Sequence, residues 1–143
     1  MKRYVLVALT GLMFTLKGLA QTLEEGKKFL YCERNRSALQ VFKKLNAGKP
    51  SDVMITYWLG QAYLANDDVK AAKNLYEHAL QSSPHDPWLL IGLGHINVLE
   101  NNITAAKEKF DKALEAGKSK KGIYNIDQLI AGKRVWWRCC IGI

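Results

Sequence analysis

The chain has 143 residues, of which 48% are hydrophobic and 24% charged, with three cysteines. This balance is typical of a globular protein, and the cysteines are too few for a small fold held together by disulfides. The net charge of +8 comes mainly from the two chain ends, because Gln21–Lys120 carries 14 basic and 12 acidic residues. A nucleic-acid-binding domain carries its positive charge on the folded surface, so we expect no nucleic-acid partner.

The first 20 residues have the layout of a secretory signal peptide. Met1–Arg3 is a short basic start, Tyr4–Leu16 carries no charge, and small residues stand at Gly18 and Ala20. This order predicts cleavage between Ala20 and Gln21 and a periplasmic or secreted protein. A buried first helix and an uncleaved anchor are the alternatives, but the uncharged run is shorter than the roughly 20 residues that span a bilayer. We therefore expect membrane contact only through this segment, if it stays uncleaved.

The next hundred residues contain an internal repeat with a period of 34. The recurring positions are glycines (Gly26, Gly60, Gly94), alanines (Ala38, Ala72, Ala106), aromatic residues (Phe42, Tyr76, Phe110) and two prolines (Pro50, Pro84). A period of this length indicates an array of structural repeats rather than one irregular domain.

Each copy has two segments with helical periodicity, separated by a polar break. In the second copy, one apolar stripe follows Asp52 and ends at Asn66–Asp68, and another begins at Val69. Asp86-Pro87 is a helix start, since it combines a side-chain acceptor with a proline in the first turn. We expect the small residues at the glycine and alanine positions to let the two helices approach closely, and the aromatic residues to fill the space between neighbours.

The second copy resembles the tetratricopeptide repeat, whose pattern is W-x₂-L-G-x₂-Y…A-x₃-F…P. The matching residues are Leu59-Gly60, Tyr63, Ala72, Tyr76, Ala79 and Pro84, whereas the tryptophan of the pattern is replaced by Thr22, Thr56 and Leu90. The resemblance implies an all-α, right-handed α-solenoid of three helix-turn-helix repeats, at about 21–52, 53–86 and 87–120.

The C-terminal region 121–143 departs from the repeat. Apolar residues at Ile123, Ile126, Leu129 and Ile130 have helical spacing, which predicts a capping helix over Lys121–Ala131 or the start of a fourth repeat. Val135–Ile143 then holds two tryptophans and two cysteines. Three interpretations stay open: a tail folded back onto the last helix, an interaction patch, or the accidental end of a truncated or frame-altered gene.

The sequence contains no recognisable catalytic or metal-binding pattern. His78, His85 and His95 are not spaced as a zinc pair, and phosphate-binding loops and hydrolase motifs are absent. Adjacent Cys139 and Cys140 do not suit disulfide geometry, and no spacing indicates a partner for Cys32, so unpaired thiols are favoured. We predict no catalytic residues, no metal, no cofactor and no small-molecule substrate.

The tetratricopeptide resemblance implies that a partner protein or peptide binds in a concave groove lined by the first helix of each pair. Helical spacing selects the lining candidates Lys27, Tyr31, Tyr57, Gln61, Trp88, Ile91 and His95. The alternative is that such residues pack between helices, which we favour for Leu30, Leu64 and Val98. The first helices of the second and third copies contain no Lys or Arg, so the basic clamp with which some family members bind acidic C-termini is absent.

These observations predict a non-catalytic protein–protein interaction scaffold of the cell envelope or secreted space. The alternative is an accessory tetratricopeptide domain of a longer envelope enzyme or assembly factor, truncated here.

Overall fold

The computed structural model describes residues 23–119, which form six helices and no strand. The helices are α1 (residues 23–31), α2 (Asn35–Gly48), α3 (Val53–Leu64), α4 (Val69–Ser82), α5 (Pro87–Leu99) and α6 (Ile103–Ser119). The predicted all-α solenoid is confirmed. The predicted signal peptide, the capping helix and the tail all lie outside the described residues. Within 23–119 no helix is both long and apolar enough to cross a membrane.

The helices begin where the sequence supplies an acceptor for their first backbone N–H groups. The Asp52 carboxylate accepts from the backbone N–H groups of Met54 and Ile55 at 3.0 and 3.2 Å. Asp86 does the same for α5, directly before Pro87. Such caps satisfy donors that the helix itself leaves unpaired. The predicted helix starts at Asp52 and Asp86-Pro87 are therefore confirmed.

The turn inside each helix pair repeats the same backbone conformation at the same 34-residue spacing. Its central residue has a positive φ in all three pairs, 57° at Glu33, 62° at Asp67 and 58° at Asn101. The next residue then donates its backbone N–H to the carbonyl five positions earlier, an arrangement that ends helices. These bonds join Arg34 to Phe29 at 2.8 Å, Asp68 to Tyr63 at 3.0 Å and Asn102 to Asn97 at 2.8 Å. The 34-residue period of the sequence thus corresponds to a 34-residue period in backbone conformation and hydrogen bonding.

At each recurring glycine, an aromatic ring of the following helix packs against the backbone. A Cβ atom at Gly60 would overlap the ring of Tyr76, and one at Gly94 would overlap the ring of Phe110. Gly26 stands in the same relation to Phe42. In each pair, the first helix therefore has a glycine at the position where an aromatic ring of the second helix packs against its backbone. This confirms the expected close approach and the filling role of Tyr76.

The helices pack in chain order, with one further contact between two first helices. From α2 onwards each helix packs against its successor, and α3 also packs against α5. The first helices of neighbouring repeats therefore lie side by side. We use the term first-helix face for the surface formed by α1, α3 and α5.

Candidate partner-binding face

The first-helix face holds all seven residues that the sequence predicted to line a groove, but it exposes them unequally. Lys27 and Tyr31 lie on α1, Tyr57 and Gln61 on α3, and Trp88, Ile91 and His95 on α5. His95 is exposed, Tyr57 is buried, and the other five are half-buried. Tyr31, Trp88 and His95 each make a further interaction, so none of these three side chains is free.

Three aromatic residues from successive first helices form a row along this face. The Tyr57 and Trp88 rings lie 4.9 Å apart between centroids. Tyr31 is connected to Tyr57 through Trp58, whose ring meets the Tyr31 ring at 6.3 Å and the Tyr57 ring at 5.5 Å between centroids. Aromatic side chains therefore extend across the face from α1 to α5.

Tyr57 is the buried member of this row, so its side chain is not accessible to a partner. Its side chain is only 3% exposed, because neighbouring rings enclose it on several sides. Trp58 meets it edge-on at 5.5 Å, and Tyr76 stacks against it at 6.4 Å. This burial contradicts the expectation that the Tyr57 side chain lines an open groove. Its ring holds Trp88 in position from beneath.

Trp58 is a residue of the face that the sequence analysis missed. Its ring stacks on Phe42 at 6.4 Å and meets Tyr31 edge-on at 6.3 Å, and the Lys27 ammonium lies 5.3 Å from its centroid. Its indole nitrogen is buried without a hydrogen-bond partner among the described residues. Trp58 and Gly92 are 34 residues apart, and so are Phe42 and Tyr76. Trp58 packs against Phe42, and Gly92 packs against Tyr76 at the corresponding position of the next repeat. That shared register could have identified the position.

The Lys, Arg, Asp and Glu residues of the three first helices are confined to α1. No residue of α3 or α5 is Lys, Arg, Asp or Glu. On α1 the Lys27 ammonium is paired with the Glu24 carboxylate at 2.6 Å. Gln61, one of the few polar groups, donates to the Tyr76 hydroxyl at 3.1 Å, and that hydroxyl donates to the Tyr57 carbonyl at 2.9 Å. These two side chains are thus hydrogen-bonded within the protein, and the part of the face formed by α3 and α5 carries no charged side chain.

The far end of the face is more open. The His95 ring meets the edge of Phe110 at 5.8 Å. Val98 is 44% exposed and Leu99 is 60% exposed. The expectation that Val98 packs between helices is therefore wrong, because it points outward at the end of α5. Leu30 and Leu64 are half-buried, in partial agreement with that expectation.

Burial holds the tyrosines of this region in their neutral form. It raises the pKa of Tyr57 to about 12, with a smaller contribution from Tyr31. Burial also raises the pKa of Tyr76, partly opposed by the hydrogen bond from Gln61. The pKa of Tyr31 is raised by burial and by the nearby Glu24 carboxylate.

These shifts predict a loss of stability in alkali. An unfolded tyrosine ionises near pH 10, whereas folded Tyr57 keeps its proton to about pH 12. Between these values the folded state binds more protons, so the free energy of unfolding falls as pH rises, by about 1.4 kcal/mol per pH unit for each such group. Spectrophotometric tyrosine titration with circular dichroism checks this. Ionisation of every tyrosine near pH 10 with the helices intact would contradict it.

Two surface cavities lie away from the seven predicted residues. One, of about 790 Å³, lies between the α4–α5 loop and the C-terminal half of α6. The other, of about 560 Å³, lies between the first two intra-repeat turns. None of the predicted groove residues lines either cavity. Within residues 23–119, no group of three or more His, Cys, Asp or Glu side chains is arranged to hold a metal ion.

Cys32, directly after α1, is disulfide-bonded. The prediction of an unpaired thiol is therefore wrong for Cys32. Cys139 and Cys140, the two remaining cysteines of the sequence, lie outside the described residues. Sequence spacing carried no information here, because a disulfide depends on distance in the folded chain rather than along the sequence.

Comparisons with known proteins agree with this architecture. Residues 64–120 match the family model described as tetratricopeptide repeat. No sequence among curated proteins matches the chain significantly. Residues 64–120 are thus similar to the tetratricopeptide repeat, and the resemblance predicted from the sequence is confirmed for this part of the chain.

Two solved structures share the fold. The MamA RS-1 ArsTM double mutant is 24% identical, with a TM-score of 0.59 over 73% of this chain and 59% of that chain. The Yersinia enterocolitica type III secretion translocator chaperone SycD, in an alternative dimer, is 15% identical, with a TM-score of 0.65 over 87% of this chain and 92% of that chain. The chain thus spans about 59% of the length of the MamA structure. At these identities the likeness shows the fold.

Proposed function

We propose that this protein is a non-catalytic scaffold of the cell envelope or secreted space that binds a partner polypeptide on its first-helix face. The observation that carries this proposal is the uncharged, aromatic surface that α3 and α5 form side by side. Tyrosine and tryptophan supply much of the binding energy at protein interfaces. A face without charge on these two helices suits an extended apolar or mixed segment.

Trp88 is the best-placed anchor on this surface. It is half-buried, lies next to Tyr57 and stands in the first turn of α5, one of the two helices without charge. Tyr57 beneath it fixes the indole without requiring a partner. A ring held rigidly before binding loses little conformational freedom when a partner covers it.

We expect Trp88→Ala to weaken binding of a partner peptide at least tenfold. Interface anchors of this type contribute about 2 kcal/mol or more, and about 1.4 kcal/mol corresponds to a tenfold change in affinity. A peptide selected by display on the full chain supplies the ligand, and calorimetry measures its Kd. Lys107→Ala, on the exposed side of α6, is the matched control and should leave affinity unchanged.

Equal affinities for the Trp88→Ala and parent chains would place binding elsewhere and overturn the proposed site. Tyr57→Ala is unsuitable for this test because Tyr57 is buried, so its removal would reduce stability as well as binding. Circular dichroism of Trp88→Ala establishes that the repeats remain folded.

The proposed location rests on the signal-like residues 1–20 and is supported by the disulfide at Cys32. Disulfides persist in oxidising compartments and are rare in the cytosol. Cell fractionation, with the mass of the recovered chain, tests this. A chain that stays in the cytosol with Met1–Ala20 attached would contradict it.

The alternative is an accessory domain of a longer envelope enzyme or assembly factor. This chain spans 59% of the MamA structure and 92% of the SycD structure. Sequencing the gene beyond codon 143 in all frames distinguishes the two. Further 34-residue copies or a catalytic domain downstream would support the alternative.

A further inference from the structure

The sequence contains two sequons for N-linked glycosylation, and the structure treats them differently. The pattern Asn-x-Ser/Thr is the acceptor for N-linked sugars on exported proteins. It occurs at Asn35-Arg36-Ser37 and at Asn102-Ile103-Thr104, and a glutamate precedes each asparagine by two positions. Both asparagines stand where the second helix of a pair begins, at the start of α2 and of α6. The two sites are therefore alike in sequence and in their place in the repeat.

The amide nitrogen of Asn102 is open to modification. The Asn102 side-chain oxygen accepts from the backbone N–H of Ala105 at 3.2 Å and so caps α6. The Asn102 Nδ2 atom makes no hydrogen bond within residues 23–119. Asn102 and Thr104 are exposed, and Ile103 is 62% exposed. Because a sugar on Nδ2 leaves the side-chain oxygen in place, the modified residue can still cap the helix.

The amide nitrogen of Asn35 is already engaged. Its Nδ2 atom donates to the Ala65 carbonyl at 2.7 Å, and the Asn35 backbone carbonyl accepts from the Asn66 side chain at 3.0 Å. These bonds join the start of α2 to the turn of the second repeat. Asn35 and Ser37 are also half-buried. A sugar on this nitrogen would have to fit between two packed turns.

The two sequons also differ in how easily they can leave the helix to enter the active site of a transferase. Local opening costs least where few buried contacts and hydrogen bonds are lost. Opening residues 102–104 uncovers no buried side chain, because all three are exposed. Opening residues 35–37 breaks the two hydrogen bonds that connect the first and second repeats. The structure therefore favours the second sequon twice, through access and through the cost of opening.

We propose that Asn102 is an attachment site for an N-linked glycan and that Asn35, in the same folded chain, is not. The reaction forms a bond between Asn102 Nδ2 and C1 of the first sugar. The bond from that carbon to the diphosphate of a lipid-linked oligosaccharide breaks, and the departing lipid diphosphate takes up one amide proton. The site rests on the proposed location in the envelope or secreted space, where such transferases act, and the disulfide at Cys32 supports that location.

Glycosylation of the purified, folded full chain tests the site. A single-subunit oligosaccharyltransferase supplied with its lipid-linked oligosaccharide modifies the chain, and mass spectrometry of the glycopeptides locates the sugar. Synthetic peptides that span each sequon give the intrinsic ratio of modification at Asn102 to modification at Asn35. Because Asn35 must lose two hydrogen bonds, we expect this ratio to be about tenfold higher or more in the folded chain than in the peptides.

Two substitutions provide matched variants. Ser37→Thr gives the first sequon the hydroxyl residue of the second, and it should leave Asn35 a poor acceptor in the folded chain. Asn102→Asp removes the acceptor nitrogen but keeps a side-chain oxygen at the start of α6, as Asp68 caps α4. We expect Asn102→Asp to lose the sugar while circular dichroism shows the same helix content as in the parent chain.

A folded chain with the same ratio as the peptides, or with no sugar at Asn102, would overturn the proposal. The chain recovered from the cells that produce it separates this result from that of the proposed location. An exported chain with an unmodified Asn102 would refute the modification alone. A chain retained in the cytosol would refute the location and, with it, the modification in those cells.

Discussion

Replacing Tyr76 by alanine is expected to lower the free energy of unfolding by about 3–5 kcal/mol, the usual cost of removing a buried aromatic ring. The Tyr76 side chain is completely buried. Its ring fits between Gly60 on α3 and Gly92 on α5. Alanine would leave a cavity between two helices that have no side chain at these positions to fill it.

Tyr76→Phe separates the contribution of the ring from that of the hydroxyl. The hydroxyl donates to the Tyr57 carbonyl and accepts from Gln61, so its loss should cost about 1–3 kcal/mol, because partners stay unsatisfied in a buried setting. Urea unfolding followed by circular dichroism measures both variants on the full chain. A Tyr76→Ala protein as stable as Tyr76→Phe would show that the ring does not hold the second and third repeats together.

The second large effect is expected from adding a single methyl group at Gly60. A Cβ atom there overlaps the Tyr76 ring, which is fully buried and held by two hydrogen bonds. Overpacking of this kind costs about 1–3 kcal/mol. Alanine is favoured over glycine inside a helix by about 1 kcal/mol, so the clash must also overcome this gain. We expect Gly60→Ala to be destabilised overall.

Gly48→Ala is the matched control because it makes the same chemical change in a helix of the same protein. No atom outside its own helix backbone lies within 4 Å of a Cβ atom at Gly48, so this variant should be as stable as the parent or slightly more stable. Thermal unfolding of the two variants in parallel gives the comparison. Stabilisation of both to the same extent would mean that the ring of Tyr76 moves aside at no cost.

Much of the fold could be predicted from the sequence because the repeat is encoded locally. Asp52 and Asp86 cap the helices that follow them, and the 34-residue spacing of Gly60 and Gly94 marks where a ring must enter. Helix caps and small residues act over one or two helical turns, so their effect can be deduced from neighbouring positions. The absence of charge from α3 and α5 likewise follows directly from the residues that compose these two helices.

The candidate partner-binding face was predicted less completely, because helical spacing does not distinguish a residue above the core from one inside it. Tyr57 and Trp88 both have the spacing of groove residues, yet Tyr57 is buried and Trp88 is partly open. The difference arises from α5, which packs on α3 and brings Trp88 over Tyr57. Trp58 was missed for the same reason, since its neighbours Tyr31 and Phe42 come from two other helices.

The sequence by itself determined the repeat length, the starts of α3 and α5 and the absence of charge on two of the three first helices. Tertiary structure alone decided which aromatic ring faces outward and which cysteine is bonded. Caps, spacing and charge are properties of one helix at a time. Burial and disulfide pairing depend instead on distances between segments that are remote along the chain, and those distances exist only once the repeats have stacked.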